Sequence, residues 1–218
     1  MDNRAHWEQV YRTKAPDQVS WFQAEARISR QLIEGALPDH EARIVDVGAG
    51  ASTLVDGLLD AGYRQITVVD ISERALELAR ERLGATADAV RWECADVLTH
   101  DFPSGAFDLW HDRAAFHFLT DPGDRARYIA QVRGALRAGG LVLIATFAED
   151  GPTRCSGLDV ARYSPALLER EFGAEFQLLD GRRETHTTPS GGQQAFTYCL
   201  LRFGPPAQGV KRFSKERR

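Results

Sequence analysis

Asp46-Val47-Gly48-Ala49-Gly50-Ala51, six residues that close an apolar run, decide the fold of this chain. The run that they close, 43–47, is dominated by β-branched residues, and the glycines stop it within about the length of a core strand. From Ser52 to Ala61, apolar residues recur at helical spacing, and Gly62 closes the segment. The sequence therefore predicts a buried strand, a tight glycine turn and a helix.

A second acid follows at the end of the next strand-like run. Residues 65–69 predict a second strand that ends at Asp70. In nucleotide-binding units, an acid about 20 residues beyond the glycines binds the ribose hydroxyls. We therefore expect Asp70 to hold the two ribose hydroxyls of a nucleotide-like cofactor.

The residues around the glycines favour S-adenosylmethionine over a dinucleotide. A dinucleotide site requires a further glycine at the position where this chain has Thr53. Asp46 lies just before the first glycine, and its carboxylate disfavours a pyrophosphate but attracts an ammonium group. S-adenosylmethionine carries both a sulfonium and an α-ammonium group, which suits a loop flanked by carboxylates. Because an unpaired carboxylate at the end of a buried strand is costly, we expect Asp46 to pair with the ligand ammonium or with backbone amides of the turn.

From about Arg43 to Phe203, the chain resembles the class I methyltransferases that use S-adenosylmethionine. The glycine-loop motif of that family corresponds to 45–52, with Ser52 in place of the family's third glycine. The resemblance implies that Asp96, after a third predicted strand, meets the adenine amino group. Acids at strand ends are also common turn formers and helix caps, and this alternative stays open for Asp70 and Asp96. The cofactor-binding residues that the resemblance implies are Asp46, Gly48, Gly50, Ser52, Asp70, Ile71, Asp96 and Val97.

Strand-like and helix-like runs alternate along the chain, which predicts an α/β fold with a sheet covered on both faces. We expect a Rossmann-like, doubly wound, seven-stranded sheet that is mostly parallel, with the antiparallel last strand that the resemblance implies. Predicted strands lie near 43–47, 66–70, 90–93, 107–111, 141–147, 175–182 and 194–203. Predicted helices lie near 52–61, 73–83, 124–137 and 165–172.

The two ends differ from the middle of the chain. We predict one methyltransferase domain over 1–203, with an N-terminal helical lid segment over 1–38 that contains a helix from about 24 to 36. Trp7, Tyr11, Trp21 and Phe22 gather in this segment, and Trp21 is the candidate lid residue over the substrate. Packing of the segment on the sheet edge is the alternative. The residues from 204 to 218 are predicted to form a disordered basic tail.

The acceptor is expected to bind beyond the fourth predicted strand, because ligands in open α/β sheets lie at the carboxyl ends of the strands. His111, Arg113 and His117 are the candidate catalytic residues there. If 112–119 forms a short helix, Arg113 and His117 share one face, where the histidine accepts a proton and the arginine holds an acceptor carboxylate. A buried structural histidine and an arginine paired with Asp112 or Asp124 are the alternatives. In-line methyl transfer requires chiefly alignment, so no general base is obligatory.

The same segment also bears on the class of acceptor. Residues 112–119 resemble the corresponding segment of thiopurine and halide/thiol methyltransferases, and the N-terminal tryptophan-rich segment has similar relatives among lysine methyltransferases. We expect a small-molecule methyl acceptor as the partner. A protein lysine methyltransferase and a non-catalytic S-adenosylmethionine-binding module are the alternatives, together with an NAD-dependent oxidoreductase.

Composition sets outer limits on function. The 218 residues carry a formal net charge of −4, so no global positive field would gather nucleic acid, which we expect not to be a partner. The three cysteines have no metal-ligand spacing, and we expect no metal site. Their odd number and the lack of a signal-peptide pattern indicate a reducing, cytoplasmic location. No stretch is long and apolar enough for a membrane span, so no membrane partner is expected.

Overall fold

The predicted strand over 43–47 lies inside a seven-stranded sheet in the computed structural model, which describes residues 3–204. The sheet order is β3-β2-β1-β4-β5-β7-β6. Strands β1 to β5 pair in parallel, and β7 is antiparallel to both of its neighbours, β5 and β6. The predicted fold class is thereby confirmed. The strands are β1 (Arg43–Val47), β2 (Gln65–Asp70), β3 (Val90–Cys94), β4 (Phe107–Arg113), β5 (Leu136–Phe147), β6 (Phe176–Thr187) and β7 (Gln193–Phe203).

Helices cover both faces of this sheet. The side chains of β1 alternate between the two faces, so that Ile44 joins one apolar core while Val45 and Val47 join the other. Because both faces of β1 are buried, its sequence is an apolar run and does not alternate between apolar and polar residues. The helices are α1 (Asn3–Thr13), α2 (Arg27–Ala36), α3 (Leu54–Asp60), α4 (Glu73–Leu83), α5 (Pro122–Ala135) and α6 (Pro165–Phe172).

Local capping fixes where the crossover helices begin. The Ser72 hydroxyl accepts a hydrogen bond from the Ala75 N–H at 3.2 Å and starts α4. Asp121 accepts hydrogen bonds from the N–H groups of Gly123 and Asp124, and Pro122 occupies the first turn of α5. Helix α5 ends at Ala135, earlier than predicted, because buried Leu136 already pairs with Phe107 in the sheet.

The end of β4 differs from the short helix that we considered over 112–119. Strand β4 continues to Arg113, where it pairs with Ala145 of β5. The backbone then reverses at Ala114, which has φ 68°, and a single 3₁₀ turn spans Phe116–Phe118. The Asp112 carboxylate stabilises this turn by accepting hydrogen bonds from the N–H groups of Ala115 and Phe116. Arg113 and His117 therefore do not share a helix face.

The N-terminal segment forms a helix of its own ahead of the predicted one. Helix α1 packs on α4, where the Ser72 hydroxyl donates to the Glu8 carboxylate at 2.7 Å. The predicted helix over 24–36 appears as α2. The predicted basic tail, except for Gly204, lies outside the described residues, and the single-domain assignment stays a prediction. Among residues 3–204, no helix is long and apolar enough to cross a membrane.

The glycine loop between β1 and α3 passes through a narrow space. Gly48 has φ 59° and Gly50 has φ 56°, values that side chains with a Cβ rarely adopt. A Cβ at Gly48 would overlap the Cβ of Ala115, and a Cβ at Gly50 would overlap the hydroxyl of Tyr11. The glycines are therefore required both for the turn and for the close approach of β4 and α1.

We expect Gly48→Ala to lower the free energy of unfolding by about 2–5 kcal/mol, as the sum of a left-handed backbone cost and an overpacking cost. Gly105→Ala is the matched control, since Gly105 has φ 61° but nothing lies within 4 Å of its added Cβ. This control should lose only about 1–2 kcal/mol. Urea unfolding of both variants measures the difference. Equal losses in the two variants would contradict a close approach of the loop to Ala115.

Candidate functional site

A cavity opens at the carboxyl ends of β1, β2 and β4 and beside the segment that follows β3. It brings together most of the residues predicted to bind the cofactor. Gly50 does not line the cavity, but its N–H donates a hydrogen bond to the Asp70 carboxylate, which does. The predicted residues that line the cavity are Asp46, Gly48, Ser52, Asp70, Ile71, Asp96 and Val97.

The Asp70 carboxylate is fixed by two backbone amides. Its Oδ2 accepts a hydrogen bond from the Gly50 N–H at 2.7 Å, and its Oδ1 accepts one from the Ser72 N–H at 2.8 Å. Burial raises the pKa of Asp70 to about 6, and the nearby Asp46 carboxylate adds to the shift. The side chain is therefore oriented at the cavity wall and holds a proton more readily than an exposed aspartate.

Asp46 has a partner that the sequence did not predict. Its Oδ1 lies 2.7 Å from Nδ1 of His111, and Nε2 of His111 lies 2.9 Å from the hydroxyl of Ser29. The two strands bring the first pair together, because Asp46 and His111 are direct neighbours in the β1–β4 register. Both ring nitrogens of His111 are consequently engaged in hydrogen bonds.

Asp96 combines a turn-forming role with a position at the cavity. Its Oδ1 accepts a hydrogen bond from the Leu98 N–H at 2.9 Å, so the side chain organises the turn after β3. The apolar side chains of Ile71, Val97 and Leu98 line the same part of the cavity. An acid beside a flat apolar wall suits an adenine ring with its amino group.

Arg113 lies at the far side of the cavity, at the end of β4. Its side chain is 9% exposed, and it donates hydrogen bonds to the Tyr198 hydroxyl at 2.8 Å and to the Trp21 carbonyl at 2.9 Å. The guanidinium carbon lies 4.4 Å from the centroid of the Phe196 ring. The Glu184 carboxylate, 3.7 Å away, balances the charge. Arg113 thus joins β4 to both β7 and the N-terminal segment.

His117 does not line the cavity, although its ring packs against that of Phe118, which does. It is fully buried, and its Nδ1 accepts a hydrogen bond from the Phe147 N–H at 3.3 Å. Burial lowers the pKa of His117 to about 3, and the charge of Arg113 contributes to the shift. The imidazole is therefore neutral at pH 7, and its environment is that of an interior histidine.

Aromatic rings of the N-terminal segment cover the cavity. We call residues 3–23 the N-terminal roof. The ring of Trp7 meets Trp21 at a centroid distance of 5.7 Å and Phe118 at 4.9 Å, both edge to face. Tyr11 packs beside Trp21 at 6.4 Å. Trp21, the candidate lid residue, therefore lies in an aromatic cluster at the cavity.

Polar contacts hold the end of the N-terminal roof against the sheet. The Gln23 side-chain amide donates to the Glu184 carboxylate at 3.0 Å, and the Thr53 hydroxyl donates to the Gln23 carbonyl at 3.1 Å. Nε2 of His186 lies 2.9 Å from the Ser20 carbonyl oxygen. These contacts attach the roof to β6 and to the glycine loop.

Sequence reasoning did not identify Gln23, Ser29, Phe118 or Leu119, although all but Ser29 line the cavity. In the sequence, Ser29 is an ordinary polar position of an amphipathic helix. Only the fold places it against His111. Phe118 and Leu119 stood in the polar and aromatic segment after β4. That segment was predicted to carry the acceptor chemistry. Its aromatic residues were the feature from which a contribution of Phe118 to the cavity could have been predicted.

The charge of the cavity suits S-adenosylmethionine. Three carboxylates line the cavity, from Asp46, Asp70 and Asp96. A sulfonium and an ammonium group complement these acids, whereas a pyrophosphate would be repelled. Within residues 3–204, no cluster of three or more histidine, cysteine or acidic side chains could hold a metal, and all three cysteines are free thiols.

Residues 44–140 match the methyltransferase domain family. The eEF1A lysine and N-terminal methyltransferase of Danio rerio is 26% identical over 148 residues, which cover 66% of this chain and 21% of that protein. EEF1A lysine methyltransferase 4 of Mus musculus is 36% identical over 105 residues, 48% of this chain and 40% of that protein. The chain thus matches only a fifth to two fifths of the length of these two relatives.

Solved structures share the fold over most of the chain. A structure described by the conversion of a disulfide bond into a thioacetal group during echinomycin biosynthesis has a TM-score of 0.74 at 17% identity, with 94% of each chain covered. The 1,6-didemethyltoxoflavin-N1-methyltransferase of Burkholderia thailandensis, solved with S-adenosylhomocysteine, has a TM-score of 0.66 at 23% identity. That match covers 83% of this chain and 80% of the other. The domain matched over 44–140, the relatives named as methyltransferases and the shared fold together support a class I S-adenosylmethionine-dependent methyltransferase.

Proposed function

We propose that the protein transfers a methyl group to a nucleophilic atom of a small molecule by in-line displacement. The observation that carries this proposal is the cavity at the strand ends, with its carboxylates on one side and an aromatic roof on the other. When bound, S-adenosylmethionine supplies an activated methyl group on a sulfonium. The residues of this chain then bind the cofactor, orient the acceptor toward the methyl group and exclude water.

The strand order supports an arrangement of the cofactor across the cavity. Asp96 follows β3, Asp70 ends β2, and Asp46 is the last residue but one of β1, so the three acids follow one another along the edge of the sheet. We assign Asp96 to the adenine amino group, Asp70 to the ribose hydroxyls and Asp46 to the α-ammonium group. The methyl group then points toward β4 and the aromatic rings of the roof.

The surroundings of the β4 end support catalysis by positioning and desolvation. His111 has both ring nitrogens engaged, and His117 is fully buried and does not line the cavity, so neither offers a free base to an acceptor there. Holding two reactants in line can contribute about 7–11 kcal/mol in ideal cases. Among the three catalytic candidates, we therefore keep Arg113 as the acceptor-side residue, facing a polar or anionic group of the acceptor.

The roof favours a compact acceptor over a side chain of a folded protein. Its anchored end and its aromatic rings lie over the cavity, so an acceptor must fit beneath Trp7 and Trp21. Methylation of a protein lysine is the second candidate, favoured by the names of the curated relatives. The three free cysteines support the inference that the protein acts in a reducing, cytoplasmic environment.

We expect Asp70→Ala to weaken the binding of S-adenosylhomocysteine by about 100-fold or more, since two hydrogen bonds from hydroxyls to a carboxylate are lost. Isothermal titration measures the effect, and the exposed Asp60→Ala variant is the control. Unchanged affinity in Asp70→Ala would refute the ribose assignment. Binding of NAD in place of S-adenosylhomocysteine by the wild type would refute the proposed function.

We expect the affinity for S-adenosylhomocysteine to fall as the pH drops below about 6. The pKa of Asp70 lies at about 6 in the free protein, and ribose hydroxyls donate to its ionised form, so binding lowers that pKa and releases a proton. The dissociation constant should be roughly tenfold larger at pH 5 than at pH 7.5. Asp70→Asn cannot ionise and should show a flat profile. A wild-type profile as flat as that of the variant would contradict a role for the Asp70 carboxylate.

We expect label from S-adenosylmethionine methyl groups to appear in the metabolite fraction of a cell extract treated with the purified protein. The enclosed site under the roof is the reason. Asp70→Ala, added to the same extract, is the control for methyltransferases already present. Label confined to the protein fraction would contradict the small-molecule proposal and favour the lysine methyltransferase alternative.

A further inference from the structure

We propose that Ser29 and His111 are positioning residues that orient the Asp46 carboxylate toward the α-ammonium group of the cofactor. This inference rests on the proposed function and deepens it. It concerns three side chains from three elements, namely Ser29 of α2, His111 of β4 and Asp46 of β1.

The three side chains form one buried hydrogen-bonded chain. Their residues are 1%, 2% and 3% exposed for Ser29, His111 and Asp46, in that order. The Ser29 hydroxyl lies 2.9 Å from Nε2 of His111, and Nδ1 of His111 lies 2.7 Å from Oδ1 of Asp46. Polar groups this deeply buried are costly unless they are paired, and this arrangement pairs them.

The chemistry of the end groups fixes the protons along the chain. An ionised carboxylate only accepts hydrogen bonds, so Nδ1 of His111 must carry a hydrogen and donate it to Asp46. In the neutral imidazole, Nε2 is then an acceptor, and the Ser29 hydroxyl donates to it. The opposite tautomer would place two acceptors 2.7 Å apart. The Asp46 carboxylate therefore fixes the tautomer, and the Ser29 hydroxyl supports it by donating to Nε2.

One carboxylate oxygen of Asp46 remains for a ligand. Oδ1 is held by His111, whereas Oδ2 forms no hydrogen bond with any residue of the described chain. Asp46 also lines the cavity, beside Gly48 and at the end of β1. A cationic hydrogen-bond donor such as an α-ammonium group is the partner that an ionised, oriented carboxylate binds best.

The chain acts on a different part of the cofactor from Asp70. Asp70 is held by the amides of Gly50 and Ser72, with no contact to His111. A defect in the Ser29–His111 pair should therefore affect ligands that carry the amino-acid group and spare ligands that end at the thioether. S-adenosylhomocysteine and 5′-methylthioadenosine provide this comparison, because the second lacks the ammonium and carboxylate groups.

The test measures the affinity of both ligands for three variants by isothermal titration. His111→Leu removes the donor to Asp46, and we expect the affinity for S-adenosylhomocysteine to fall about tenfold, as when a hydrogen bond worth about 1.4 kcal/mol is lost. The affinity for 5′-methylthioadenosine should stay unchanged. His111→Asn retains a donor near the position of Nδ1 and should recover most of the loss. Ser29→Ala should produce a smaller loss with the same ligand dependence.

Each alternative result has a distinct meaning. Equal losses for both ligands in His111→Leu would show that His111 serves only the fold, which overturns this inference and leaves the proposed function standing. The same conclusion follows if His111→Asn behaves like His111→Leu for both ligands. Failure of the wild type to bind either ligand would overturn the proposed function and this inference together.

Nitrogen NMR of His111 in the wild type tests the proton assignment without any ligand. We expect Nδ1 to be protonated and Nε2 to be unprotonated, and Ser29→Ala to weaken this preference. A protonated Nε2 with a bare Nδ1 in the wild type would overturn the inference.

Discussion

The reversal of strand order between β1 and β4 is the constraint on which the rest of the structure depends. Strands β2 and β3 extend the sheet to one side of β1, and β4 and β5 extend it to the other. The connections after β1 and after β4 therefore diverge and leave a crevice at the carboxyl ends of the strands. The glycine loop lies in this crevice, and its close approach to Ala115 keeps the crevice narrow.

The electrostatics of the crevice follow from burial. Asp46, Asp70 and Asp112 lie at or next to the ends of their strands, in a region with little access to solvent, and each is compensated locally. Asp46 pairs with a histidine, Asp70 with two amides, and Asp112 with two amides and the Tyr128 hydroxyl. Burial still raises the pKa of Asp112 to about 6, as it does for Asp70. The interior thus holds these acids at a desolvation cost, which the local hydrogen bonds offset in part.

Much of this arrangement could be predicted from local sequence. The β-branched run, the paired glycines and Asp70 define a strand, a turn and a second strand end by short-range patterns alone. The caps at Ser72 and Asp121 set helix starts in the same way. The segment after β4 could not be predicted so well. Asp112 draws the following amides into a tight turn, and the pairing of Arg113 with β5 extends the strand at the expense of a helix.

The sequence by itself determined the doubly wound fold, the cofactor class and the carboxylates and glycines gathered at the candidate site, because each depends on patterns within about 30 residues of chain. Only the tertiary structure decided the roles of the three candidate acceptor-side residues. His117 was placed in the interior, Arg113 between β7 and the roof, and His111 between Asp46 and Ser29. The physical reason is that these positions depend on side-chain contacts between elements distant in sequence. Strand register and the docking of α1 and α2 set those contacts, and no local pattern encodes them.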